Sequence, residues 1–231
     1  MDFILDGLWQ AVNLLFSGHA ETYDAVWTTI WVSSLAIAVT MLMGAPLGFL
    51  LGWTTFPGKR KVRLLVDTSL STPTVVIGLV VYAFLSRRGP LGDLGLLFTQ
   101  AGIALGLVLL GLPIVIALTA TAVEGLDRRL RFTLMTLGAT PGQALLTTLW
   151  EARYSLLVAT AAAYGRIVSE IGIAMMIGGN IKWHTRTITT AIALETGKGE
   201  FAMGIALGLV LMLIALLVNL AMATLRRLET G

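Results

Sequence analysis

The sequence contains no cysteine among its 231 residues, and only 13% of its residues are charged. Without cysteine, the chain can form neither a disulfide bond nor a thiolate metal site. A soluble domain has about 25% charged residues, whereas 56% of this chain is hydrophobic and its mean hydropathy is +0.86. Much of the surface must therefore face lipid, and the composition predicts an integral membrane protein.

Several sites of chemical function are also missing from the sequence. It has no Gly-x-x-x-x-Gly-Lys-Ser/Thr phosphate loop, so we expect no ATP hydrolysis by this chain itself. The two histidines, His19 and His184, are isolated, and no nucleophile–base pattern or metal cluster is apparent. Basic and aromatic residues are not interleaved, which argues against nucleic acid as a partner despite a net charge of +3. The sequence therefore predicts a protein without enzymatic activity, cofactor or metal.

What the sequence does contain is a series of long apolar stretches. A helix needs about 20 apolar residues to cross a bilayer. This length predicts an all-α membrane protein with five transmembrane helices, near residues 27–52, 65–86, 102–123, 149–172 and 201–225. These form a transmembrane domain over residues 25–231. We expect residues 1–24 to form a separate N-terminal, extracytoplasmic segment. Within it, the stretch of residues 2–17 is too short to cross the bilayer, and its pattern predicts an interfacial helix.

Lysine and arginine are concentrated in three places, at residues 59–63, at residues 128–131 and at residues 226–227. Five spans place all three clusters on one side, and loops rich in these residues stay in the cytoplasm. We therefore expect the N-terminus outside and the C-terminus in the cytoplasm. Counting residues 132–150 as a sixth span would divide this pattern.

Residues 132–150 carry no charge, yet Gly138 and Pro141 interrupt them. Gly138 can end a helix in a left-handed cap, and Pro141 suits the first turn of the next helix, where a missing N–H costs nothing. The pattern predicts helix, sharp turn, helix at the cytoplasmic membrane surface. An ordinary amphipathic connector is the alternative.

Charged and polar residues within the apolar stretches are candidates for function. Arg166 and Glu170 are four residues apart, so they share one helical face. Charges at this depth usually face a bundle interior or a watery cavity. The pair either fixes helix packing or lines a translocation path, where Glu170 would keep an oxyanion only weakly bound to Arg166. The donor-rich segment near Arg186 is an outer gate, a docking site for a partner protein, or a solvated loop with a short helix. Pro73 predicts either a kink in the second span or a looser entry to it.

The interrupted segment also resembles a known family. "TLGATPGQALLTTLW" is similar to the cytoplasmic loop of binding-protein-dependent ABC importer permeases, and the signature glycine of that family matches Gly138. The family's Glu-Ala-Ala and Ile-x-Leu-Pro positions hold other residues here, at 132–134 and 148–151. "VSSLAIAVTMLMGAPLGFLLGWTTFPGKR" resembles the first core span of molybdate and tungstate permeases. "GRIVSEIGIAMMIGGNIKWHTRTITTAIALETGKGEF" is most similar to the tungstate-specific branch, as is the proline-free "LWEARYSLL".

The resemblance implies the core fold of the methionine and molybdate permeases and the import of an oxyanion, with tungstate as the predicted substrate, through the interface of a homodimer. It implies that the chain lies in the inner membrane, with two ATPase subunits and an extracytoplasmic tungstate-binding protein as its partners. Molybdate or sulfate import, or a stand-alone secondary transporter or channel, are the alternatives. The implied coupling residues, within a region of about 127–147, are Leu130, Arg131, Leu134, Leu137, Gly138, Ala139, Thr140, Pro141 and Gln143. The candidates for the path or gate are Ser71, Thr72, Pro73, Arg166, Glu170, Arg186, Thr187 and Thr189.

Overall fold

A computed structural model describes Trp9, Asn13 and residues 20–229, apart from the side chains of residues 128, 131, 221–222 and 225–229. All regular structure in this part of the chain is helical. The α-helices are α1 (Ala20–Trp53), α2 (Lys59–Ser69), α3 (Thr74–Leu85), α4 (Gln100–Gly125), α5 (Arg128–Thr136), α6 (Pro141–Glu151), α7 (Arg153–Val168), α8 (Ile188–Lys198) and α9 (Phe201–Glu229). A 3₁₀ turn covers Gly92–Leu94, and a π-helical turn covers Ala174–Gly178. The predicted interfacial helix at residues 2–17 lies almost entirely outside the described residues, and α1 begins five residues before the predicted domain boundary.

Three of the described helices, α1, α4 and α9, are long and apolar enough to cross a membrane, or four spans if α2 and α3 count as one. The span predicted near residues 65–86 consists of two helices, because α2 and α3 meet at an angle of 98°. The break falls between Leu70 and Pro73, and Pro73 precedes the first residue of α3. Proline disfavours helical backbone in the residue before it, so the predicted kink becomes a complete break.

The fourth predicted span, at residues 149–172, is also divided. The helix α6 ends at Glu151, the chain turns at Ala152, and α7 runs for only 16 residues. Beyond α7, Glu170 lies outside regular structure and the π-helical turn follows. Length and composition therefore do not identify α7 as a span by itself.

The central contact of the fold joins α1 to α4 through a stripe of glycines. A Cβ atom added to Gly48 would lie 2.6 Å from Thr119 Cβ, and one added to Gly44 would lie 2.8 Å from Val115 Cγ1. A Cβ atom added to Gly52 would lie 2.8 Å from the Ala120 carbonyl oxygen. Small residues allow two helices to pack closely where lipid gives no hydrophobic drive for association. In α1 the glycine stripe therefore packs within the chain.

Two buried clusters position the remaining elements. The larger cluster contains Val81, Ile103, Leu107, Ile167 and Ile173, and it joins α3, α4 and α7 to the segment that contains the π-helical turn. The smaller cluster packs α8 between α1 and α9. Because α8 is fixed in this way, the residues at its beginning are held against both of these long helices.

Candidate coupling and translocation sites

The interrupted segment forms a helix, a tight turn and a second helix. Gly138 has φ +67°, and its N–H donates to the Met135 carbonyl oxygen at 3.2 Å. The N–H of Ala139 donates to the Leu134 carbonyl oxygen at 3.0 Å, which closes the end of α5. This is the left-handed helix cap that the sequence predicts, and glycine adopts its positive φ without a Cβ clash.

The second helix of the segment starts with a capping box. The Thr140 hydroxyl accepts from the Gln143 N–H at 3.4 Å, and Gln143 Oε1 accepts from the Thr140 N–H at 2.8 Å. Pro141 occupies the first turn of α6, as predicted. Three of the predicted coupling residues therefore fix where α6 begins, because they satisfy the N–H groups that have no partner inside the helix.

Several large apolar side chains are exposed on the outer surface of α5 and α6. Leu137 is 77% exposed, while Leu134 is buried. The large exposed apolar residues of the segment are Phe132, Met135, Leu137, Leu146 and Trp150. A cavity of about 320 Å³ lies behind the turn, between Ala139 and the α1 residues Phe49 and Trp53. Sequence reasoning missed four of these exposed residues, although the absence of charge from 132 to 150 was a signal for them.

Arg153 fixes the junction between α6 and α7. Its Nη1 donates to the Trp150 carbonyl oxygen at 2.9 Å, at the end of α6. Its guanidinium carbon also lies 5.2 Å from the centre of the Trp150 ring and 4.6 Å from that of Tyr154. A cation over an aromatic ring is attracted by the ring quadrupole. Sequence reasoning did not single out this residue, and a lone arginine gives no pattern by which to find it.

Arg166 and Glu170 form the ion pair that their spacing predicts. Arg166 Nη1 lies 2.8 Å from Glu170 Oε2, and the other carboxylate oxygen accepts from the Ile173 N–H at 3.2 Å. The Glu170 side chain is only 3% exposed, whereas that of Arg166 is 43% exposed. The carboxylate is therefore held in place, while the guanidinium has an open side.

The break in the second predicted span lies beside this ion pair. A Cβ atom added to Gly172 would lie 3.2 Å from Glu170 Oε1 and 3.5 Å from Thr74 Oγ1. Thr74 is the first residue of α3, immediately after the predicted path residues Ser71, Thr72 and Pro73. Tertiary structure thus brings two parts of the predicted path, with Pro73 and Glu170 97 residues apart in sequence, into one neighbourhood.

Arg186, Thr187 and Thr189 are buried, which corrects the interpretation of their segment as a solvated loop. Thr187 forms a capping box at the start of α8, and the Thr189 hydroxyl donates to the Glu170 carbonyl oxygen at 2.8 Å. Arg186 pairs with Glu21 of α1, and Lys182 Nζ lies 2.6 Å from the same carboxylate. Thr189 therefore belongs to the Glu170 neighbourhood, while Arg186 belongs to a separate ionic cluster beside a cavity of about 520 Å³.

Solved structures show the same arrangement of helices. The chain superposes on the inward-facing MetNI methionine ABC transporter with a TM-score of 0.72 at 20% identity, over 90% of this chain and 95% of the other. It superposes on a bacterial alginate ABC transporter, in complex with its periplasmic protein, with a TM-score of 0.75 at 17% identity, over 99% of this chain and 89% of the other. The fold is therefore that of a membrane permease subunit of an ABC importer.

Sequence comparison identifies the family. The chain is 50% identical to the tungstate uptake system permease protein TupB of Campylobacter jejuni over 98% of this chain and 95% of that protein. It is 36% identical to TupB of Peptoclostridium acidaminophilum, over 95% and 96%, and 28% identical to the molybdenum transport permease ModB of Escherichia coli K12, over 90% and 96%. No family model matches the chain. The chain belongs to the permease family of binding-protein-dependent ABC importers that includes these tungstate uptake permeases, and it is a multi-pass, non-enzymatic translocation component.

Proposed function

We propose that this chain is the translocation subunit of an ATP-driven importer of tungstate. The observation that carries the proposal is its 50% identity to the Campylobacter jejuni tungstate permease over almost the whole of both chains. Identity to the molybdenum permease of Escherichia coli is 28% over a similar length. Tungstate and molybdate are tetrahedral dianions of nearly equal size, so the relatives support tungstate more than any single residue does.

We infer that two copies of the chain enclose the path between them. The three or four spans identified by length are too few to enclose a path alone. In the proposed topology, α7 and the segment that continues to Gly178 make a further crossing, which brings the total to five. The helix α3 exposes the apolar residues Val75, Val76, Leu79 and Val80. A second copy packed beside α3 would cover such a face.

The proposed orientation places the N-terminus outside and the C-terminus in the cytoplasm, in the inner membrane. Lys59 lies 3.1 Å from Glu124, at the end of α4, and α5 begins only four residues after Glu124. Two of the three cationic clusters therefore lie at the same end of the helical bundle. The positive-inside rule assigns that end to the cytoplasm, and the coupling segment goes with it.

The proposed partners are two ATPase subunits, each of which binds one α5–α6 segment in a groove. The exposed apolar side chains around Leu137 suit a helix-in-groove contact. ATP binding would draw the two segments together, and the spans would open outward to receive the anion from an extracytoplasmic binding protein. Leu134 is buried and lines the same cavity as the α1 residues Phe49 and Trp53, so a displacement of α5 would reach the longest described helix.

Arg166 is the proposed contact for the anion on the path, with Glu170 as its resident competitor. Arginine has five N–H donors, and the ion pair with Glu170 uses one of them. The remaining donors on the open side can bind tungstate oxygens, since charge-assisted bonds of this kind are strong. The fixed Glu170 carboxylate repels the same dianion and prevents tight retention. Ser71, Thr72 and Pro73 at the break beside Glu170 complete the proposed gate.

The test is uptake of labelled tungstate into liposomes that contain this chain, the ATPase and the binding protein, with molybdate and sulfate as competitors. We expect uptake that needs ATP and all three components. A tenfold excess of either competitor should not reduce it, which corresponds to discrimination on the order of 1.4 kcal/mol. Competition by molybdate at equal concentration would contradict tungstate as the specific substrate. Uptake by this chain alone would contradict the ABC mechanism.

A further inference from the structure

The helix α2 has two faces with different surroundings. On one face, Lys59 lies 3.1 Å and Arg63 lies 3.5 Å from the Glu124 carboxylate at the end of α4, and Arg63 also donates to Thr121 at 2.7 Å. These contacts hold α2 at the end of the bundle where α4 ends. None of the eleven residues of α2 is buried, so the opposite face remains uncovered.

The opposite face combines unpaired cations with exposed leucines. Among the described residues, the side chains of Arg60 and Lys61 have no ion pair or hydrogen bond. Leu64 and Leu65 are 65% and 68% exposed. Lys61 precedes these leucines by three and four residues, and Arg60 precedes Leu64 by four, so the cations lie one helical turn from the leucines on the same face. Cations and apolar residues are thus separated along the axis of α2, with the cations at its beginning.

We propose that this face of α2 binds an anionic phospholipid, with the headgroup phosphate at Arg60 and Lys61 and an acyl chain along Leu64 and Leu65. Basic residues next to a span are attracted to anionic headgroups, and long basic side chains extend toward the membrane interface while apolar neighbours stay in hydrocarbon. The anionic headgroup matches the cations at the beginning of this face, and the apolar acyl chain matches the leucines that follow. The inference rests on the proposed function only for the leaflet, which the proposed orientation identifies as the cytoplasmic one.

The absence of native cysteine makes a direct test possible. The full chain with Leu65→Cys is labelled at the new cysteine with a bimane fluorophore and reconstituted in vesicles of phosphatidylcholine. Brominated phosphatidylglycerol or brominated phosphatidylcholine is then added at equal mole fractions. We expect brominated phosphatidylglycerol to quench the fluorophore on the order of tenfold more effectively than brominated phosphatidylcholine, because two cations contribute to its binding. Equal quenching by the two lipids would overturn the proposal.

Paired variants separate this site from general surface charge. R60Q/K61Q should lose the preference for phosphatidylglycerol. R87Q/R88Q changes an exposed arginine pair just after the C-terminal end of α3, and it should keep the preference. Preference that survives in R60Q/K61Q would show that these cations do not bind the headgroup. Soluble glycerol phosphate should not compete, and competition would point to a free-anion site instead.

The remaining alternative is that a second copy of the chain covers this face. In the complex with the ATPase, Leu65→Cys would then form a disulfide between two copies under oxidation, and no lipid would quench its fluorophore. Either result contradicts the lipid site. The readouts measure lipid contact without ATP or tungstate, so failure of the lipid site leaves the proposed import of tungstate unaffected, and failure of import leaves the quenching result unaffected.

Discussion

Arg166 lies 2.8 Å from Glu170, and the two side chains differ sharply in exposure, at 43% and 3%. Glu170 also accepts the Ile173 N–H, and its carbonyl oxygen accepts the Thr189 hydroxyl. One residue thus links the end of α7, the π-helical segment and the start of α8. A buried carboxylate whose two oxygens both have partners, on a backbone that Thr189 also holds, cannot move easily. A ligand of Arg166 must therefore compete with a fixed charge.

Glu170→Gln tests this competition. The amide keeps the shape of the carboxylate but leaves the Arg166 charge unopposed, so tungstate should be retained. We expect the uptake rate at saturating tungstate to fall about tenfold and the apparent KM to fall with it, a change of about 1.4 kcal/mol. Both values come from proteoliposome uptake. Glu195→Gln, which removes the similar pair with Lys198 at 2.9 Å, serves as the control and should change neither. Failure of the Glu170 variant to assemble would show that the pair is purely structural.

Gly138→Leu tests the turn of the coupling segment. A Cβ atom at Gly138 meets no atom within 4 Å among the described residues, so the substitution acts only through φ +67°. A side chain in that conformation costs about 1–2 kcal/mol, and the turn should change shape. We expect more ATP to be hydrolysed per tungstate transported, measured in one reconstituted sample. Gly142→Leu is the matched control, since its surroundings are equally open and its φ is not positive. Normal coupling in the Gly138 variant would refute the proposed role of the turn.

Leu137→Asp tests the apolar docking surface. Leu137 is exposed at the end of α5, and a carboxylate there would have to be desolvated in the ATPase groove. We expect the affinity for the ATPase to fall by roughly 30-fold, or about 2 kcal/mol, as at an interface hot spot. Titration of the purified subunits measures this affinity. Leu94→Asp, an exposed leucine of the 3₁₀ turn, should leave it unchanged. Equal losses in both variants would point to misfolding.

Gly48→Ala tests the contact between α1 and α4. The added Cβ atom would lie 2.6 Å from Thr119 Cβ and 2.8 Å from the Ile116 carbonyl oxygen, so the helices must separate. Overpacking of this kind costs about 1–3 kcal/mol. We expect a lower Tm in detergent, measured by thermal unfolding. Gly208→Ala, where the Cβ atom meets no described neighbour within 4 Å, should keep the Tm of the parent. An unchanged Tm for the Gly48 variant would mean that the contact can relax.

Local signals in the sequence were sufficient for several features. The positive φ of Gly138 and the start of α6 at Pro141 follow from the conformational preferences of glycine and proline within two adjacent turns. The ion pair of Arg166 and Glu170 follows from their spacing, since four residues make about one helical turn, although α7 itself ends at Val168. Each of these features depends on residues that are close in the chain.

Other features depend on contacts that no local pattern encodes. Pro73 predicted a kink, but the size of the 98° bend depends on what packs around α3. The donors near Arg186 left a gate and a solvated loop as equal alternatives, because nothing local shows that Glu21 lies opposite Arg186, 165 residues earlier. The exposure of Phe132 and Met135 and the burial of Leu134 also depend on which face of α5 meets α1.

The sequence by itself determined the solvent of this protein, the helical class and the positions of its sharpest turns, because composition and backbone preference are properties of single residues and near neighbours. Only the tertiary structure decided which glycines meet which helix, and that Glu170 lies beside the broken span. It also decided that one face of α2 is tied to Glu124 while the other stays open, because these relationships arise when distant segments compete for the same packing space.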